Sequence, residues 1–179
     1  WCEVCRAQRP MPKRIAGIAG APGLAIGRAV AVFDTNSINK VPDRITDDIP
    51  SEEARLREAV RSVRAEVATL DSELEGTLAE ADRALFQAYG LMLESPELWD
   101  LALSELRRGN WAPGAVSRSF ETLASRFDTM EDDYLRGRAV DIRALGGRLL
   151  ARLSGGSGVA TVGQGPTILV GQSLSAIDI

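Results

Sequence analysis

A chain of 179 residues makes one domain of ordinary size, or one and a fraction, and its 45% apolar and 26% charged content is that of a globular protein. A net charge of −4 argues against a general nucleic-acid binder, and no apolar run reaches the ~20 residues of a membrane span, so a cytoplasmic protein is expected. Histidine is absent, which removes from this chain the commonest general base, the commonest metal ligand and the usual phosphohistidine carrier.

Residues 1–13 read as a linker or the tail of a preceding domain. The chain opens on Trp1 and stops just after a strand-like run, so both ends are expected to be cut from something longer. Cys2 and Cys5 form a C-x-x-C. A thioredoxin-like dithiol should sit in a βαβ context, and zinc would need two further Cys or His ligands, which the sequence lacks. The favoured reading is an ordinary cysteine pair, with a small redox protein as the alternative. Ile15 to Ile18 and Leu24 to Phe33 are strand-like runs on either side of the turn signal Ala21-Pro22-Gly23, which suggests a hairpin or a sheet edge. Such a pair needs further strands to be stable. Residues 35–50 are polar, with two prolines, and read as a connection.

A helical region follows. Ser51 reads as an N-cap, with Glu52 and Glu53 in the first turn, where the helix dipole favours acids. Leu56, Val60, Val63, Val67, Leu70 and Leu74 then recur in steps of four and three, the stripe of a long helix packed along a partner. A second helix is predicted from Glu80 to Glu94. Ser95 caps a third, with Pro96 at its first position, and this helix stops at Arg107-Arg108-Gly109. From about Pro113 the stripe returns as Val116, Phe120, Leu123, Phe127, Met130 and Tyr134. The next segment, with Ile142, Leu145, Leu149 and Leu153, either continues this helix or breaks from it near Asp132 to Gly137. The Gly-rich run 155–165 lacks the Lys-Ser/Thr of a phosphate-binding P-loop and follows a helix, so it reads as a loop. Thr167 to Gln172 is a final strand. Strands therefore flank the helices at both ends. The fold class expected is mixed α and β, mainly helical, with a helical-hairpin bundle inserted into an α/β unit formed by the termini.

No residues pair a nucleophile with a base, and no catalytic residue is assigned. Acids crowd the middle: between Leu70 and Leu101, Arg83 alone opposes Asp71, Glu73, Glu75, Glu80, Asp82, Glu94, Glu97 and Asp100. They form either a solvated face or a docking surface for a basic partner. Met92 favours docking, because Met suits adaptable contact surfaces, and Gly90 within a helix suggests a close approach.

Three stretches in order, "GIAGAPGLAIGRAVAV" (Gly17 to Val32), "ALFQAYGLMLESPEL" (Ala84 to Leu98) and "EDDYLRGRAVDIRALGGRLL" (Glu131 to Leu150), carry a family resemblance. The chain from about Ile15 to Ile179 resembles the N-terminal domain of enzyme I, the phosphoenolpyruvate–protein phosphotransferase of the bacterial phosphotransferase system. The segment before Ile15 looks like the nitrogen-type form, in which a GAF domain precedes. The resemblance implies residues 14–34 and 155–179 as parts of an incomplete α/β swivelling phosphohistidine subdomain, and 48–154 as the helical carrier-binding subdomain. It implies HPr or its nitrogen-branch counterpart as partner. The docking residues so implied are Glu80, Tyr89, Leu91, Met92, Glu94, Glu97, Leu98, Phe127, Leu135 and Arg138. It places the phosphorylated His downstream of Ile179, and in the longer parent a phosphoenolpyruvate-binding barrel with Mg²⁺ and a homodimer interface. This chain is then a docking fragment without a cofactor of its own, inactive by itself. Ser95 and Pro96 stand where family members often have acids, which implies a weaker or differently selective carrier contact. Asp141, Arg143 and Arg148 are expected to tie their helix to its neighbours. The alternative is a non-catalytic helical interaction or signalling module whose acidic face is only solvated.

Overall fold

The computed structural model describes residues 23–31, 38–76, 80–155, 165–171, 175 and 177, with residues 80–82 as backbone. Cys2 and Cys5, the run Ile15–Ile18 and most of the Gly-rich loop lie outside these residues. The order is β1 (Arg28–Ala31), a 3₁₀ turn (Ile38–Lys40), α1 (Ile49–Glu73), α2 (Glu80–Leu93), α3 (Pro96–Arg107), α4 (Ala112–Asp128), α5 (Asp133–Leu153) and β2 (Thr167–Val170).

Among the described residues, β1 pairs with the distant β2. The two run parallel, with Arg28 opposite Thr167 and Ala31 opposite Val170. Parallel strands require a crossover connection, and here the whole helical bundle is that crossover. Gly27 makes the pairing possible: a Cβ there would lie 2.6 Å from the Pro166 carbonyl oxygen, which accepts the first interstrand hydrogen bond from the Arg28 amide at 2.9 Å. The expected fold class, mainly helical with a helical-hairpin bundle between strands at either end of the sequence, is the one observed.

The helix boundaries follow from local chemistry, with two corrections. The α1 cap is Asp48 rather than Ser51: its carboxylate accepts from the Ser51 amide at 3.1 Å. Pro50 belongs to the first turn, where its missing N–H costs nothing. The α3 cap is Ser95, as expected, accepting from the Leu98 amide at 3.1 Å. The second correction concerns the stripe begun at Val116. It ends at Phe127, because α4 stops at Asp128 and Asp132 starts α5 by accepting from the Leu135 amide at 3.0 Å. Tyr134 therefore does not continue the buried stripe and is exposed.

The core gathers Leu56, Val63 and Val67 of α1, Phe86, Tyr89 and Leu93 of α2, Leu98 and Leu106 of α3, Phe120 and Val116 of α4, and Ile142, Leu145 and Leu149 of α5. Each large side chain so buried contributes about 1.5–3 kcal/mol of transfer free energy. Helix α4 packs extensively on both α3 and α5. Gly146 sets the closeness of α4 and α5, since a Cβ there would meet Phe120 and Ile38 at 3.0 Å.

Polar cross-links complete the bundle. The N-terminus of α4 has no cap from Trp111; instead Glu52 reaches across from α1 to accept from the Ala112 amide at 2.6 Å. The connection into α1 is strapped onto the α3–α4 junction. The Thr46 amide donates to the Gly109 carbonyl, the Trp111 indole to the Pro42 carbonyl at 3.2 Å, and Arg118 to Asp43 at 2.7 Å. Arg118 also holds Glu105, which is buried. Burial pushes the Glu105 carboxyl up, but hydrogen bonds from Asn110, Arg108 and Arg118 outweigh it and leave it below its ordinary value.

Candidate functional site

The sequence-predicted site residues fall on four helices, and the fold brings two groups of them to one end of the bundle. Leu91, Met92, Glu94, Glu97 and Leu98 span the corner between α2 and α3. Phe127 lies at the end of α4, and Leu135 and Arg138 lie in the first turns of α5. The corners meet because Arg126, beside Phe127, forms an ion pair with Glu97 at the start of α3.

The side chains differ in how far they face outward. Leu91 is 70% and Leu135 39% exposed, both high for leucine. Met92 and Phe127 are half-buried against the core. Glu94 and Glu97 are exposed. Tyr89 and Leu98 are instead core residues, only 3% and 5% exposed. Tyr89 packs edge-to-face on Phe86, with ring centroids 6.2 Å apart. These two residues shape the corner from beneath rather than present it. Glu80 opens α2, with its side chain outside the described residues.

Arg138 is held from two sides. Its guanidinium lies 4.8 Å from the Tyr134 ring centroid, one turn earlier on the same helix face, and 2.6 Å from Asp141. Among the described residues, Asp141 thus forms its ion pair within its own helix, where the sequence reading expected a tie to a neighbour. The neighbouring arginines do make such ties. Arg143 bonds Glu121 and Asp128 of α4, and Arg148 and Arg152 share Glu66 of α1. Gly90 has nothing within 4 Å of where a Cβ would stand, so no close approach among the described residues accounts for it.

Sequence reasoning missed three members of this end: Arg64, Arg126 and Tyr134. Arg64 of α1 pairs with Glu94, and Arg126 pairs with Glu97. Their partners stand about thirty residues away in the chain, beyond any local pattern. The acidic middle is therefore partly compensated in the fold, and Arg83 adds to this by donating to Asp71 at 2.9 Å. Among the described residues, no group of three or more Cys, Asp or Glu is placed to hold a metal ion. No described helix is long and apolar enough to cross a membrane. Chemically, this end of the bundle offers contact: exposed leucines, a methionine and ordered charges, with no reacting group.

Comparison with known proteins places the chain in one family. The family model described as "PEP-utilising enzyme, N-terminal" matches residues 16–138. A phosphoenolpyruvate-protein phosphotransferase of Cupriavidus necator is 36% identical over 149 residues, and one of Staphylococcus epidermidis is 30% identical over 147. Each match covers 81% of this chain and 25% of the relative, so the chain spans about a quarter of the length of these proteins. Among solved structures, one described as the N-terminal domain of Enzyme 1 – Nitrogen superposes with a TM-score of 0.68 at 30% identity, covering 88% of this chain and 64% of that one. A solution structure of an Enzyme I protein superposes with a TM-score of 0.69 at 23% identity, covering 90% and 66%, and shares the fold.

Proposed function

Because the chain belongs to the family of PEP-utilising enzymes, N-terminal part, we propose that it is the carrier-docking portion of an enzyme I, a phosphoenolpyruvate–protein phosphotransferase of the nitrogen type. In this reading the longer protein takes phosphate from phosphoenolpyruvate onto a His outside this chain and passes it to HPr or a nitrogen-branch counterpart. The protein works in the cytoplasm, as a homodimer, with Mg²⁺ held by a barrel beyond this chain. Mg²⁺ would assist phosphoryl transfer there, and no step of it is assigned to the described residues. Residues 48–154 are the docking subdomain, and 14–34 with 155–179 belong to the swivelling α/β subdomain.

The observation that carries this reading is the exposure of Leu91 and Leu135 at one end of the bundle, beside half-buried Met92 and Phe127. Apolar side chains in the open, bordered by Glu94, Glu97 and Arg138, have the make-up of a transient contact surface with an apolar centre and a polar rim. Tyr89 and Leu98 support it from the core, and Glu80 belongs to the surface by the family resemblance. The surface holds the carrier, and the chemistry proceeds elsewhere.

The test is a titration of an HPr-type carrier into the methyl-labelled chain. The expected result is shifts at Leu91, Met92 and Leu135, with affinity in the micromolar range or weaker, as suits a small interface. Shifts absent from all three, with the carrier in large excess, overturn the proposal.

A further inference from the structure

Each described charge in the docking surface is already engaged within the chain. Arg64 pairs with Glu94, Arg126 with Glu97, and Asp141 with Arg138. The first pair joins α1 to the α2–α3 corner and the second joins α4 to α3, so folding rather than sequence neighbourhood sets them. Positions 95 and 96 add no charge, being Ser and Pro, and the Ser95 hydroxyl is taken up in capping α3. What stays uncompensated at this corner is apolar surface, led by Leu91.

We infer that Arg64 and Arg126 determine the specificity of this surface: by neutralising Glu94 and Glu97 they make it select a carrier with an apolar, weakly charged contact face over one with a strongly basic face. The inference rests on the docking reading above. A neutral pair projects far less field than a free carboxylate, so it gives a basic partner little steering. On contact, a basic side chain can only exchange one ion pair for another, and it meets an arginine already in place, a repulsive element against the wrong partner. The pairs are about half exposed, so they add little to stability and can be removed without disturbing the fold.

The experiment titrates the full chain with an HPr-type carrier that has basic residues at the rim of its contact face, reading Leu91 and Met92 methyl shifts. Between about 50 mM and about 300 mM salt, the affinity of the unmodified chain should change by less than about twofold. The Arg64→Met, Arg126→Met double variant should bind at least about fivefold tighter at the lower salt and lose that gain at the higher. The Arg64→Lys, Arg126→Lys control should behave like the unmodified chain. Equal affinity and equal salt dependence in the Met variant overturn the inference and leave docking intact. A lack of any shift in the unmodified chain overturns docking itself.

Discussion

Arg143 of α5 grips Glu121 of α4 at two points, its Nε donating to Oε2 at 3.0 Å and its Nη2 to Oε1 at 2.7 Å. The same Nη2 donates to Asp128 Oδ2 at 2.7 Å, at the last turn of α4. One guanidinium thus fastens the two helices on either side of the break at residues 129–132. Hydrogen bonds from Arg143 hold both carboxyls below their ordinary values, and for Glu121 they outweigh its partial burial. The folded state then binds fewer protons than the unfolded one, so stability rises with pH across this range. The contribution is fully present above the unfolded carboxylate values of about 4 and is lost as pH falls through the lower folded values. Glu105 adds in the same direction. Urea unfolding followed from neutral to acid pH should show a steep acid loss that flattens in Arg143→Met. At neutral pH that variant should be about 1–2 kcal/mol less stable. An unchanged acid slope in the variant would show that Arg143 is not its source.

Glu66 of α1 serves two arginines of α5: Arg148 at 2.5 Å and Arg152 at 3.0 Å. Arg148 is 8% exposed and cannot recover full hydration when its partner is lost. Glu66→Ala should therefore destabilise the chain by about 3 kcal/mol, more than a surface pair is worth. Pairing it with Arg148→Met should restore much of that loss, because the uncompensated charge goes too. The double-mutant cycle in denaturant decides it: additive losses would mean that the pair is not coupled.

Two helix glycines should respond in opposite ways to the same change. At Gly146 a new Cβ meets Phe120 and Ile38 at 3.0 Å, so Gly146→Ala must push α4 and α5 apart. Overpacking of about 1–3 kcal/mol exceeds the ~1 kcal/mol gained in helix propensity, and the variant should be less stable. At Gly90 no neighbouring atom of the described residues lies within 4 Å of where a Cβ would stand, so Gly90→Ala should stabilise the chain by about 0.5–1 kcal/mol. Thermal unfolding of the two variants checks both signs.

The repeat of Leu56, Val63 and Val67 was readable because a helix of constant period buries one face. The Ser95-Pro96 start of α3 was readable because its cap is local. Asp48 was missed since Pro50 resembles the end of a loop as much as the first turn of a helix. Tyr134 was misplaced because the four-three spacing runs on through the break near Asp132, which the sequence allows as one of two readings and the Asp132 cap decides. Arg64 and Arg126 were invisible, since a charge names no partner until the chain is folded. The same reason hides the pairing of β1 with β2: a parallel register is set across the crossover, not within either strand.

Leu91 and Leu98 stand seven residues apart, and the fold gives them opposite roles. Leu91 is exposed on α2, so Leu91→Ala should leave stability within about 0.5 kcal/mol. If the corner docks a carrier, the same change should weaken binding about tenfold, as expected for an apolar anchor near the centre of a small interface. Leu98 is buried among α1, α3 and α4, so Leu98→Ala should cost about 2–4 kcal/mol of stability. Any effect of Leu98→Ala on binding should then follow from the fraction unfolded or from a shifted corner, and a nearby core repair should rescue it. Measuring unfolding and carrier titration on both variants separates contact from support. A Leu91→Ala chain that binds normally would remove this residue from the docking surface. A Leu98→Ala chain of full stability that failed to bind would mean that Leu98 meets the carrier directly, against its burial in the core.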